Sequence, residues 1–288
     1  MNIKQKLLSN EICLSCEIFP PKAPDKIENF KKVIDELSVL SPAYISVTYG
    51  ASGTHPQFTR ELSQHVKNCG IPAISHLTCI NSSKTKINEI LDDLSKSDIK
   101  NVLALRGDIP KDASVDPVWD FKYASDLIKE IKKRSDFFVG AACYPEGNME
   151  AKSREEDICH LKIKQDMGAD FLISQMFFDN TVLYQFLYRS LQKGINIPVS
   201  AGIMPVVNRN QIKRITALSG ASLPPQFLAI LDRFGDNPES MEKAGIAYAT
   251  AQIIDLIANG ITNIHLYTMN RPAIAKAIFN NLGAIIRS

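Results

Sequence analysis

Long apolar runs are missing from this 288-residue chain. No stretch approaches the roughly 18 consecutive apolar residues of a membrane span. The opening segment is broken by Ser9, Asn10 and Glu11 and lacks the apolar core of a secretion signal. Charge of one sign is equally scarce. The 33 Lys and Arg against 31 Asp and Glu leave a net charge of +2, too little for a nucleic-acid face or an acidic membrane surface. Lys132-Lys133-Arg134 is more simply read as favourable charge at a helix C-terminus. Paired cysteine spacing is absent too. Cys13 and Cys16 lie three apart on a predicted strand and so face opposite sides, while Cys69, Cys79, Cys143 and Cys159 are scattered without zinc-ligand spacing. Neither a disulfide framework nor a metal site is expected, and reduced thiols in a cytoplasmic protein are the better reading. There is no GxGxxG, no low-complexity tract, no repeat and no linker. The expectation is one domain over 1–288, with no length left for a regulatory module.

What the chain does have is a hydrophobic share of 45%, ordinary for a globular protein, and a strict rhythm. Strands are predicted at 12–17, 43–48, 73–78, 101–106, 137–142, 170–175, 197–202 and 262–267. They are short, rich in Val, Ile, Leu and Ala, and weakly alternating, as parallel strands buried on both faces should be. Helices are predicted at 25–39, 57–69, 84–97, 122–134, 153–167, 179–193, 208–218 and 271–283. Ser83, Ser153 (with Glu156 three residues on) and Asp179 are candidate N-caps. Extra helical material, 226–234 and 239–259, falls between strands seven and eight. The fold class is α/β, a (β/α)8 TIM barrel with extra helices between strands seven and eight.

The runs stop at Glu17, Thr48, His76, Arg106-Gly107-Asp108, Tyr144, Gln175, Pro205 and Tyr267, the strand ends where barrel enzymes keep their chemistry. Singly these are weak signals. The bland reading pairs Glu17 with a barrel arginine and leaves Arg106-Gly107-Asp108 as a solvated loop, and a lone His76 is more often a satisfied core histidine than a catalyst. Their shared position at one end of successive strands favours a site.

The segments SCEIFPPK, SVTYGASG, HLTCI, NVLALRGDIP, AACYPEGNMEAKS, LKIKQDMGADFLISQMFFD, AGIMPV and HLYTMNR occur in order from about residue 12 to residue 283. In these the chain resembles methylenetetrahydrofolate reductases, flavin-dependent barrel enzymes of one-carbon metabolism. The resemblance implies FAD as cofactor, NAD(P)H and 5,10-methylenetetrahydrofolate as partners, 5-methyltetrahydrofolate as product, and a homo-oligomer. Glu17 matches the family's general acid. Opening the folate's five-membered ring needs a proton on the departing nitrogen, and Phe19 and two prolines give Glu17 an apolar neighbourhood. Asp108 matches an aspartate near both flavin and pterin, suited to accept the pterin's N–H bonds. Gln175 matches a position serving folate and nicotinamide in turn, and Thr48, Gln211 and Arg271 match other substrate contacts.

By the same resemblance FAD lies across strand ends two to five. It would touch Tyr49, Ala51, His76, Arg106, Gly107, Asp108, Ala124, Tyr144, Asn148, Ala151, Asp157, His160 and Lys164. Arg106, His76 and Lys164 would bring donors and positive charge to the pyrophosphate, and Asp157 would accept from a ribose hydroxyl. Three positions depart from the family pattern. Asn148-Met149 replaces a usual His-Pro, Ile163 stands at a commonly charged helix position, and Ile215 replaces an aromatic found in some members. Two rival readings are a flavin-independent folate-binding barrel that transfers a methyl group, and a non-catalytic folate or protein binder. The first would not need Glu17 beside a flavin or the AACYPE segment; retention of Glu17, Asp108 and Gln175 together argues against the second.

Overall fold

β1 (Cys13–Ile18) pairs in parallel with β2 (Ile45–Val47) on one side and with β8 (Asn263–Tyr267) on the other, so the sheet closes on itself. Between them run β3 (Ala73–Thr78), β4 (Asn101–Leu105), β5 (Phe138–Cys143), β6 (Phe171–Ser174) and β7 (Val199–Ile203), each bonded to its sequence neighbours. The result is a closed eight-stranded parallel barrel. This computed structural model describes residues 2–49, 56–80, 82–108 and 120–287.

Each strand leads to a helix that covers the outside of the sheet. These are α2 (Ile27–Ser38), α3 (Pro56–Asn68), α4 (Lys84–Lys96), α5 (Ala124–Ile131), α6 (Arg154–Asp166), α7 (Asn180–Gln192), α8 (Arg209–Ser219) and, after β8, α11 (Pro272–Leu282). Two further helices, α9 (Pro225–Phe234) and α10 (Pro238–Ala258), separate α8 from β8. The anticipated caps are in place: Ser83 accepts from Lys86 N–H, Ser153 from Glu156 N–H and Asp179 from Thr181 N–H. Glu156 returns its carboxylate to Lys152 N–H, one residue earlier than a capping box would place it.

Alternation along the strands divides the core in two. Outward residues such as Leu14, Cys16, Ile45, Val102 and Leu172 pack against the helices in the large outer layer. Inward residues Cys13, Tyr44, Ile74, Leu103, Phe171 and Ile173 fill the lower barrel. Burying each such large side chain contributes about 1.5–3 kcal/mol. The periodicity reading missed α1 (Ile3–Leu8), which inserts Ile3 and Leu7 into that same cluster and closes the lower end. A third cluster stacks Phe227 between Phe178 and Tyr248, tying α9 and α10 to the exits of β6 and β7.

Candidate active site

Climbing the barrel, the apolar fill gives way to a polar tier. The inward positions of β1 are Cys13, Ser15 and Glu17, and β8 in register offers Asn263, His265 and Tyr267. His265 is fully buried, stacked on Tyr44 with ring centroids 5.6 Å apart and edge-on to Tyr267. Its Nδ1 lies 2.8 Å from Ser15 Oγ and its Nε2 3.3 Å from Ser46 Oγ. Ser15 Oγ donates its one hydrogen to Ile264 O at 3.0 Å, so the network assigns the imidazole proton to Nδ1 and leaves Nε2 as an acceptor.

Glu17, with its side chain 17% exposed, sets Oε2 3.6 Å from that Nε2 and 3.6 Å from Nε2 of His76. Among the described residues these two imidazoles are the basic side chains within 4.0 Å of its carboxyl oxygens, and the barrel arginine considered from sequence does not appear. His76 Nε2 is buried without a hydrogen-bond partner, so His76 is not a satisfied core histidine. Burial pushes its pKa down to about 4, outweighing the opposing pull of Glu17, with His265 adding to the depression. Burial thus disfavours a positive charge on this ring, which stands beside Glu17. The loops above are pinned around Glu17. Thr268 Oγ1 donates to Glu17 O at 2.6 Å, and Asn270 exchanges two side-chain bonds with the backbone of Phe19. Tyr267 Oη donates to Ser174 O at 2.6 Å. Gly202 makes room for it, since a Cβ there would come 2.2 Å from Ser174 O and 2.7 Å from the Tyr267 ring.

The other expected residues gather around the ends of β2 to β6. Thr48 N–H extends the β1–β2 ladder to Ile18 O, and Thr48 O accepts from Thr59 Oγ1. Tyr49 Oη is buried without a partner. Ala51 lies outside the described residues. Gly107 has φ +85° and sits so close to Thr78 that a Cβ would stand 3.0 Å from its side chain, a backbone only glycine fits easily. Asp108 follows it, exposed. Arg106 reaches across to Glu150 in a two-bond ion pair of 2.5 and 2.6 Å. Lys164 Nζ threads inward from α6, donates to Ala142 O at 2.9 Å and lies 5.7 Å from the Tyr144 ring centroid. Burial lowers its pKa. Asp157, buried on the first turn of α6, accepts from Asn148 N–H at 3.2 Å, and burial raises its pKa. Ala151 N–H bonds Asn148 O at 3.0 Å, Ala124 is buried at the start of α5, and His160 is exposed on α6.

Of the remaining expected substrate contacts, two make local bonds and one is held in an ion pair. Gln175 N–H bonds Cys143 O and its Oε1 accepts from Met176 N–H. Gln211 N–H bonds the capping Asn208 at 3.4 Å. Arg271 pairs with Glu242 of α10 at 2.5 Å. Sequence reasoning missed His265, Ser15, Ser46 and Glu150. The period of two on β1 and β8 could have flagged the first two, but the Glu150 partnership has no sequence signal. It also missed that Glu146 accepts from both Ser222 N–H and Ser222 Oγ, anchoring the loop after β5 to the segment following α8.

A ligand with a pyrophosphate and polar rings would find donors on the β2–β5 side: Arg106, Lys164, the Tyr49 hydroxyl and the bare backbone at Gly107. The chemistry of that donor set fits a flavin dinucleotide, provided Arg106 shares or leaves Glu150.

A family model described as methylenetetrahydrofolate reductase matches residues 2–283. A Pectobacterium carotovorum 5,10-methylenetetrahydrofolate reductase is 35% identical over 277 residues, covering 96% of this chain and 92% of the relative. The Escherichia coli K12 enzyme of the same name is 33% identical with the same coverage. The Arabidopsis thaliana methylenetetrahydrofolate reductase (NADH) 1 is 35% identical, and the chain spans 51% of its length. In fold, a Clostridium thermocellum protein that binds two copies of 5-methyl-5,6,7,8-tetrahydrofolic acid superposes with a TM-score of 0.71 at 19% identity, covering 99% of both chains. The chain belongs to the methylenetetrahydrofolate reductase family of oxidoreductases.

Proposed function

We propose that the chain reduces 5,10-methylenetetrahydrofolate to 5-methyltetrahydrofolate in a two-step exchange, in which a reduced nicotinamide leaves before the folate enters. The observation that carries this reading is the setting of Glu17 at the barrel end. His265 Nε2, fixed as an acceptor by Ser15, and the unpartnered Nε2 of neutral His76 both stand 3.6 Å from Oε2. The basic side chains beside this carboxyl group are thus two buried imidazoles and, among the described residues, no lysine or arginine. That arrangement suits a group whose task is to hold a proton and release it to the folate nitrogen as the ring opens.

FAD, when bound, supplies a two-electron relay between nicotinamide and folate. Lys164 and Arg106 would hold its phosphates, Tyr49 and the Gly107 backbone would meet its polar edge, and Asp157 would accept from a ribose hydroxyl. Asp108, exposed at the end of β4, would accept the pterin's N–H bonds. Gln175 and Thr48 would bind either substrate at the shared face, with Gln211 and Arg271 at its outer side once Arg271 leaves Glu242. The NADH designation of the plant relative makes NADH the first donor to try.

The test is an anaerobic spectrum of the purified protein loaded with FAD. A flavin band that bleaches with NADH or NADPH and recovers with methylenetetrahydrofolate supports the reading. A protein that takes up no flavin overturns it in favour of a flavin-independent folate barrel, and a bleached flavin that the folate cannot restore overturns folate as the electron acceptor.

A further inference from the structure

Three donor atoms of different chemistry meet on the outside of the barrel. Asp35 lies near the end of α2, and His65 and Cys69 face it from the end of α3. The His65–Cys69 spacing of four places both side chains on one helical face, and the helical bond from Cys69 N–H to His65 O holds at 3.0 Å. His65 Nε2 is 2.7 Å from Asp35 Oδ1, and Cys69 Sγ is 3.5 Å from the same oxygen. All three potential ligand atoms lie within 4.8 Å of one another, the one such group among the described residues. Cys69 shortly precedes the start of β3 at Ala73, so the cluster sits toward the end of the barrel opposite Glu17.

We propose that Asp35, His65 and Cys69 form a three-ligand site for a zinc-class divalent cation, clamping α2 to α3. The donor set selects the ion. A thiolate and an imidazole suit Zn(II) and its analogue Co(II), whereas Mg(II) and Ca(II) seek oxygen cages. The spacing agrees. Tetrahedral zinc, with Zn–S about 2.3 Å and Zn–O about 2.0 Å, sets sulfur and oxygen about 3.5 Å apart, and nitrogen and oxygen about 3.3 Å apart. The first separation is already present. The second requires the 2.7 Å contact between His65 and Asp35 to widen by about 0.6 Å, a small rotation of side chains that are 25% and 56% exposed. That exposure leaves a fourth position open to water. Lys31, one turn before Asp35 on α2, is held in ion pairs with Glu28 at 2.7 Å and Glu61 at 2.8 Å.

The site is independent of the reaction proposed for the barrel mouth, so its test reads the metal directly. The full chain, reduced and stripped with chelator, is titrated anaerobically with Co(II). The expected result is a single equivalent of thiolate-to-cobalt charge-transfer absorption with four-coordinate visible bands, displaced by Zn(II). Cys69→Ser abolishes the charge-transfer band, and His65→Ala and Asp35→Asn each weaken binding at least about tenfold. Cys159→Ser, which removes the exposed thiol on α6, leaves the titration unchanged. Because these side chains are on the surface, the variants fold, and circular dichroism verifies it. Absence of the band in the parent chain overturns the proposal. So does a band that follows Cys159, or one that ignores both His65→Ala and Asp35→Asn.

Discussion

Replacing His76 by Gln should make the protein less sensitive to acid. Burial holds the native imidazole at a pKa of about 4, against 6.5 for a solvated histidine. Between those values the unfolded chain binds a proton that the native state refuses, so stability rises with pH across the window. The contribution is fully present above the unfolded value and drains away as the pH falls toward the folded one. Moving from about pH 7.5 to about pH 4.5, the group costs the native state about 2.5 kcal/mol at 1.36 kcal/mol per unit. Gln cannot take the proton. Other groups titrate over the same range, so the quantity to follow is the difference between parent and variant in urea unfolding at each pH. An offset at about pH 7.5 is expected, from lost packing; what matters is that it shifts toward the variant by about 2.5 kcal/mol at the lower pH. If the two stability profiles run parallel within about 0.5 kcal/mol, His76 does not sit neutral in the barrel, and Glu17 has a charged neighbour instead.

Glu17→Gln should leave reduction of bound FAD by nicotinamide largely intact while slowing the folate-reducing half-reaction by about 10²–10⁴, as stopped-flow traces of each half would read. Equal damage to both halves would remove the general-acid role. Gly202→Ala should destabilise the fold by about 1–3 kcal/mol in urea, because the new methyl meets the immovable Ser174 carbonyl and the ring of Tyr267; an unchanged midpoint would mean β6 and β7 can part. Asn148→His should slow loss of FAD on dilution, because it adds an imidazole ring and donor next to buried Asp157. Equal release from both forms would make the departure neutral.

The barrel was readable because each strand is a short apolar run stopped by polar or small residues. β3 occupies the predicted 73–78, and other strand ends differ by a few residues for local reasons. β7 starts at Val199 rather than 197 because Pro198 has no N–H to donate to the ladder. α5 begins at Ala124 rather than 122 because the Asp126 carboxylate takes the N–H groups of Lys122 and Tyr123, which ends the incoming loop there. α1 escaped notice since six residues are too few to display a helical period, even with the Asn2–Gln5 capping box that starts it. The Asp35–His65–Cys69 group escaped for a different reason. A search on cysteine spacing alone cannot see two ligands on one helix meeting a third on its neighbour.

The site was legible as a set of strand ends but not as a network, and the physical cause is barrel closure. Ser15 and His265 are 250 positions apart, and only the pairing of β1 with β8 brings them to 2.8 Å. With the Ser15 hydrogen donated to Ile264 O, that contact assigns the His265 proton to Nδ1, on the side away from Glu17. A core built for stability alone would not place a carboxyl group between two buried imidazoles and leave one of them unbonded, an omission worth about 1–3 kcal/mol. Nor would it keep Gly202 to let the Tyr267 hydroxyl reach the Ser174 carbonyl. The lower barrel obeys the packing rules and the upper tier breaks them within two residues along β1, from Ser15 to Glu17. Such a local conflict, sustained by an otherwise consistent fold, marks the place where the chain's structure serves its chemistry rather than its stability.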